Sequence, residues 1–527
     1  MTESNTKKIF KKINEKNMPI FSLVIIVGIS LLIRLYYFSQ YQPGFSDDAM
    51  VYFWYANDIK ILGQLPDHVL THGGWPMLLS VFFKIFYFNN FWDYIALQKF
   101  VSVIISAITI IPIYFLCNRF FGKYLSLLGA ILFAIEPRLI QNSLLGVTEP
   151  LYILLLSIIF FLFLSSDKKF VYISFGLLGL STIVRFESII LFVPLSIVFF
   201  LRFKNEKNIV KKYLLSIMIF SLMLTPLIAE NTLIGNENVV ANRIDAELLY
   251  IGGDLIDDPQ NIPWYYNYNF ENIIKILGWS MIPVFLLFVP FGTILILKNW
   301  EKRNIFIILV TIFTLIPGFY ALLRFADVRY LFPTYPMFCI ISLFAIKWYN
   351  ERFVNKKLFI MILLVGIVFS SVVFFEYKVK VDEIHESEAL SIAKEVIHKT
   401  AAVNQYSPES KYIMIAQMSE LEFPILSSDF EKFPLLDYNA NSLEEYLSLG
   451  EKMGLTHLVL DGKDSIYRPI FFKEVFENEE KYPYLLKIYD STDYNFKYHV
   501  KIFEINYVKF NHMTNLKTET KIDNQKL

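Results

Sequence analysis

Eleven apolar runs, most of them near the length a bilayer demands, fill the first 375 residues of the chain. A helix needs roughly 20 predominantly apolar residues to cross the hydrocarbon core. Lipid offers the backbone no hydrogen-bond partners, so each such run must be helical. The runs are Pro19–Phe38, Leu97–Cys117, Tyr124–Ile135, Glu149–Leu164, Phe170–Val184, Ser188–Leu201, Tyr213–Glu230, Ile273–Leu297, Ile305–Leu322, Tyr330–Ile346 and Leu358–Phe375. The short ones need tilt or interfacial residues to complete a crossing. Pro19–Phe38 is too long for a signal-peptide core, and no small-residue cleavage site follows it, so it reads as a retained helix.

Composition agrees. Of 527 residues, 55% are hydrophobic, 17% aromatic and only 19% charged. These values exclude intrinsic disorder, a coiled coil and a secreted disulfide scaffold. Lys+Arg and Asp+Glu both number 49, which leaves no basic field to attract nucleic acid. Cys117 and Cys339 both sit in apolar stretches, which argues against a disulfide framework or a cysteine metal cluster.

Loop charge orients the spans. With residues 1–18 inside, the loops on that side hold 21 Lys and Arg, and the opposite loops hold seven. That is the bias of the positive-inside rule. It places the N-terminus in the cytoplasm and, with eleven spans, the tail outside. The expected organisation is a cytoplasmic N-terminus (1–18), a transmembrane domain (19–376) with a long first outer loop (39–96), an extracytoplasmic α/β domain (377–510) and a polar tail (511–527). The fold class is mainly α: a multi-pass membrane protein of about eleven helices carrying an outward α/β domain. In that domain Asp382–Ala401 and Ser442–Met453 read as helices. Tyr412–Ala416, His457–Leu460, Leu485–Tyr489 and Val500–Ile505 read as strands.

Residues suited to chemistry gather at the outer ends of the spans. Asp47 and Asp48 sit just past the first span, followed by Tyr52. Ser46 or Asp47 can cap a helix running toward Leu62. Alternatively, a carboxylate at the membrane surface can act as a general base. His72-Gly-Gly-Trp-Pro76 marks a turn opening a short interfacial helix, Met77–Phe88. His72 is either a solvated loop residue or a proton carrier. Glu149 opens a span between Thr148 and Pro150, as an N-terminal acid or as a carboxylate in use. Glu136 and Arg138 flank Pro137 and can pair. Arg185, Arg324 and Arg329 stand at outer helix ends. They can pair with Glu187 and Asp327, or grip a phosphate, which the guanidinium fork fits well. Asp254, Asp257 and Asp258 read as a solvated turn before a metal site.

In this order the motifs resemble membrane glycosyltransferases of the GT-C fold, which use lipid-phosphate sugars. The resemblance is to the dolichyl-phosphate-mannose–protein mannosyltransferases and the bacterial lipid A aminoarabinose transferases. The matching features are Asp47-Asp48 with Tyr52, the segment His72–Pro76, Thr148-Glu149-Pro150, Arg185-Phe-Glu187 after Gly176-Leu-Leu-Gly179, and Arg329-Tyr-Leu-Phe-Pro333. They span roughly residues 19–375. Related families often carry a double proline where this chain has Gly74-Trp75-Pro76. The tail resembles the outward α/β domains of some microbial members, not a β-trefoil insert.

The resemblance implies a hexosyltransferase acting on a polyprenyl- or dolichyl-phosphate sugar, with mannose the first expectation. The acceptor would be a protein, lipid or glycan hydroxyl at the outer face of a cell membrane, in cell-envelope or protein glycosylation. One inverting displacement is implied. Asp47 would be the base, Asp48 a supporting acid, and Arg185, Arg324 and Arg329 the phosphate ligands. Glu149 would orient the acceptor or, with Asp47, hold a divalent ion such as Mg or Mn. Tyr52 and His72 would support the acceptor or the loop. A transporter or flippase of lipid-linked sugars also needs many helices, but its charges commonly lie near midplane. An oligosaccharyltransferase shares the fold, yet the tail lacks a Trp-Trp-Asp sequence.

Overall fold

The computed structural model describes residues 3–40, 47–66, 73–233, 270–299, 301, 303–325, 328–404, 410–436, 438, 440–461 and 469–514. Contacts divide the chain into two units. The first comprises Met1–Tyr41, Asp48–Tyr87 and Ile95–Val379; the second comprises Gln42–Asp47, Phe88–Tyr94 and Lys380–Leu527.

The first unit is helical. Among the described residues, five helices are long and apolar enough to cross a membrane, including Met18–Ser39, Phe91–Cys117 and Val328–Arg352. A sixth forms if Lys123–Ala134 and Pro137–Ser143, bent by 56°, count as one broken span. Four shorter apolar helices accompany them, among them Glu149–Phe163. At 1.5 Å per residue that helix covers about 22 Å, less than the roughly 30 Å of a hydrocarbon core. The expected single span Ile273–Leu297 is instead two helices, Phe270–Met281 and Phe288–Lys298. Pro283 lies in the break, where its missing N–H and its ring stop an α-helix from continuing. The helix expected over Met77–Phe88 runs Gly74–Ile85, three residues earlier. Trp75 is already fully buried, and apolar burial sets the start.

Phenylalanines fill the core of this unit. The Phe163 and Phe306 rings stack at 5.9 Å, and Phe160 meets Phe306 edge-on at 5.8 Å. Close approach of helices uses glycine. A Cβ at Gly292 would lie 2.1 Å from the Ile341 carbonyl oxygen, and one at Gly179 would lie 2.6 Å from that of Phe220. Small residues let membrane helices pack backbone to backbone in this way.

The second unit contains a five-stranded mixed sheet of order β2-β1-β3-β5-β4. The strands are β1 (Val403–Asn404), β2 (Leu435–Leu436), β3 (His457–Asp461), β4 (Leu485–Asp490) and β5 (Val500–Ile505). β1 runs parallel to β2 and β3, while β5 pairs antiparallel with β3 and β4. Three of the four expected strands are present. The fourth, Tyr412–Ala416, lies inside the helix Ser410–Met418. A five-residue apolar run does not distinguish a strand from a helix turn, and Met, Ala and Gln around it favour helix. The helices Lys380–Lys399 and Leu443–Met453 match expectation closely. The Ser442 hydroxyl accepts from the Glu445 N–H at 3.1 Å, and Gly454 ends that helix at φ 85°.

Two outcomes are expected. Gly292→Ala forces the helix Phe288–Lys298 off Tyr335–Arg352, at a cost of about 1–3 kcal/mol; a lower thermal midpoint of the purified protein checks it. Ser442→Ala removes a cap worth about 1 kcal/mol, readable as faster hydrogen exchange at Glu445.

Candidate active site

Three local structures bring residues singled out in the sequence together in the first unit. The first is the buried carbonyl of Gly146, which accepts from Trp75 Nε1 at 2.9 Å and from Gln98 Nε2 at 2.8 Å. Gln98 Nε2 also donates to the Ala49 carbonyl at 2.9 Å. One amide thus ties the first turn of the helix Asp47–Leu62 to the loop that precedes Glu149. Gly146 adopts φ +75°, and a Cβ there would lie 2.9 Å from Gln98 Cγ, so only glycine suits the position.

The second is Gly74, where a Cβ would sit 2.9 Å from the Val184 nitrogen. The helix Gly74–Ile85 therefore starts in direct backbone contact with the residue before Arg185. The Gly-Gly-Trp-Pro segment is a packing device as well as a turn.

The third is an ion-pair cluster. Arg185 Nη1 meets Glu149 Oε1 at 2.6 Å and Thr148 Oγ1 at 3.3 Å, and Arg185 Nη2 meets Glu187 Oε1 at 3.0 Å. Its guanidinium lies 4.8 Å from the centre of the Tyr330 ring and 6.0 Å from that of Tyr152. Nearby, Arg329 Nη2 donates to Asp48 Oδ2 at 3.0 Å. Tyr52 is buried and hydrogen-bonded to Thr148; burial first, then the Asp48 carboxylate, push its phenol above the ordinary range, so it stays neutral.

The structure thus collects Asp48, Tyr52, Glu149, Arg185 and Arg329 from positions up to 281 residues apart. Asp47 opens its helix, but its side chain, that of Arg324, and all of His72 and of Asp254, Asp257 and Asp258 lie outside the described residues. Arg138 does not form an ion pair with Glu136. It donates to the carbonyls of Trp279 at 2.7 Å and Ile282 at 3.2 Å and stacks on Trp279 and Phe374. Glu136 caps the following helix by accepting from the Arg138 N–H at 3.4 Å. The roles of Tyr152, Tyr330 and Gln98 went unread in sequence. For Tyr152 a signal existed: it lies three residues after Glu149, on the same helix face.

Arg185, Glu187, Tyr152 and Tyr330 line a small cleft, with Phe313, Pro317 and Leu191 among its apolar walls. Its lining joins one charged pair, Arg185 and Glu187, to aromatic and apolar side chains. Among the described residues no three His, Cys, Asp or Glu side chains form a metal-ligand group. Arg185 engages Glu149 Oε1 and leaves Oε2 without a hydrogen-bond partner, while the Asp47 side chain that would share an ion with it lies outside the described residues.

Breaking a buried ion pair strands its partner, at a cost of about 3–5 kcal/mol. Arg185→Met is therefore expected to lower stability by that order. Glu149→Gln, which keeps a hydrogen-bonding amide, should cost less; chemical denaturation of the two variants side by side checks the ranking.

Comparison with known proteins places this arrangement. Residues 74–229, which contain Glu149, Arg185 and Glu187, match the family model described as dolichyl-phosphate-mannose-protein mannosyltransferase. No curated protein matches. Among solved structures, ArnT from Cupriavidus metallidurans in the apo state aligns with TM-score 0.55 at 9% identity, covering 91% of this chain and 97% of that one. The same protein bound to undecaprenyl phosphate aligns with TM-score 0.55 at 8% identity, with the same coverage of 91% and 97%. The archaeal oligosaccharyltransferase AglB from Archaeoglobus fulgidus, solved with an inhibitory peptide and a dolichol-phosphate, aligns with TM-score 0.52 at 14% identity, covering 85% of this chain and 70% of that one. Fold and family signature together make the chain a multi-pass membrane glycosyltransferase of the GT-C fold, with the mannosyltransferase signature over residues 74–229.

Proposed function

We propose that the protein transfers a single sugar, a mannose-like hexose, from a polyprenyl-phosphate carrier to an acceptor hydroxyl on the outer face of the membrane. The observation that carries this reading is the Glu149–Arg185–Glu187 cluster, two of whose residues line a cleft with apolar walls, inside the segment that bears the mannosyltransferase signature. The undecaprenyl phosphate and dolichol-phosphate bound by the two solved relatives support a lipid-phosphate donor. The orientation belongs to the proposal. The excess of Lys and Arg in alternate loops puts the N-terminus and those basic loops in the cytoplasm, and the cluster and residues 377–510 outside. Eleven crossings satisfy that alternation.

The chemistry follows from the residue types. A carboxylate takes the acceptor proton as the acceptor oxygen attacks the anomeric carbon. The bond from that carbon to the phosphate oxygen breaks on the opposite face, and the carrier phosphate leaves with the electron pair. The product has inverted configuration. Asp47 is the base in this scheme. Its neighbour Asp48 already accepts a hydrogen bond from Arg329, and that engagement gives it a supporting role. Arg185 stabilises the charge that develops on the leaving phosphate, the kind of contribution that counts most in a site sheltered from water. Arg324 and Arg329 extend the positive edge. Tyr52 and His72 support the acceptor loop.

The test is transfer from radiolabelled polyprenyl-phosphate mannose into a cell-envelope extract. Asp47→Asn is expected to lower transfer by about 10²–10⁴-fold, the usual worth of a positioned base, and Asp48→Asn by less. Equal transfer by the wild type and Asp47→Asn would remove Asp47 as the base. Movement of the lipid across the membrane without transfer would favour a flippase, and a labelled oligosaccharide product an oligosaccharyltransferase.

A further inference from the structure

The Arg185 cluster has the wrong charge for the ligand it is placed to bind. Among the described residues, Arg185 and Arg329 face three carboxylates, Asp48, Glu149 and Glu187. A carrier phosphate entering the cleft would be a further anion against a guanidinium that already serves two acids. Like charges at this distance disfavour binding unless one of them leaves.

The two acids on Arg185 differ in how firmly they are held. Glu149 is 4% exposed and sits in the first turn of the 15-residue helix Glu149–Phe163, where it uses Nη1 together with Thr148. Glu187 is 25% exposed, belongs to the short 3-10 turn Phe186–Leu191, and uses Nη2. Glu187 also lines the cleft, and Glu149 does not. Exchange at Nη2 would therefore leave the Glu149 pair intact. The Tyr330 ring, 4.8 Å from the guanidinium, holds the arginine plane from a third side during such an exchange. A carboxylate and a phosphate present similar oxygen pairs to a guanidinium edge.

We propose that Glu187 is a stand-in for the carrier phosphate. It holds Arg185 Nη2 until polyprenyl phosphate takes its place, and it returns as the spent carrier departs. Rebinding of an attached carboxylate competes with the phosphate at high effective concentration, which favours release of the product lipid. This rests on the lipid-phosphate donor proposed above.

The experiment measures binding of undecaprenyl phosphate, with uncharged undecaprenol as control, to the purified full-length protein. Glu187→Gln removes the competing charge and is expected to bind the phosphate about tenfold more tightly than the wild type, with undecaprenol affinity unchanged. Glu187→Asp keeps the charge but draws it back by one methylene. It is expected to bind about threefold more tightly, and it decides the matter if the glutamine variant does not fold. Unchanged or weaker phosphate affinity in these variants, with the wild type still preferring phosphate to polyprenol, overturns the stand-in role and leaves the donor reading in place. No preference for the phosphate in any of the three proteins overturns both.

Discussion

A buried guanidinium organises the functional end of the membrane unit. Arg185 is taken out of water at the end of a helix and is tolerable there only because Glu149, Glu187 and Thr148 receive its N–H groups. Those partners come from two different helix junctions, so meeting the charge also fixes where the junctions sit. The Gly146 carbonyl does the same by neutral means, since two buried side chains from distant segments converge on it. Together they make these helix ends a set of pinned ends. Reacting groups must be held to a fraction of an ångström to be useful, and pinned ends supply that.

The site and the bilayer impose opposite demands. Lipid selects apolar residues along the whole length of each span, and a charge is affordable only near the edge or against a partner. The chain meets both by keeping its ionisable cluster at helix starts and its cores phenylalanine-rich. The lining of the cleft shows the same mixture, with Arg185 and Glu187 among aromatic and apolar side chains.

Much of this was legible in the sequence, for identifiable reasons. Long apolar runs, loop charge and the order of the outer motifs are one-dimensional signals, because bilayer thickness and helical rise turn residue counts into distances. Ser442–Met453 read as a helix, and the structure starts it with the Ser442–Glu445 cap, a local interaction. The errors also have physical causes. Ile273–Leu297 read as one helix because hydropathy does not register Pro283, although the missing N–H breaks the helix there. Tyr412–Ala416 read as a strand because five apolar residues carry no decisive period. Gly74 was read as a turn residue, and its approach to the Val184 backbone was invisible until the helices were assembled.

By itself the sequence determined the membrane class, the helical character of the first 375 residues, the mixed character of the tail and the roster of outer-edge acids and bases. Each of these follows from composition, periodicity or spacing, which act along the chain. Only the tertiary structure decided who partners whom. It set Arg329 on Asp48, shared Arg185 between Glu149 and Glu187, and turned Arg138 away from Glu136 toward the carbonyls of Trp279 and Ile282. Several partners satisfy the same charge equally well in one dimension. The choice among them depends on which helix ends the packed core brings within about 3 Å, the range over which a hydrogen bond acts.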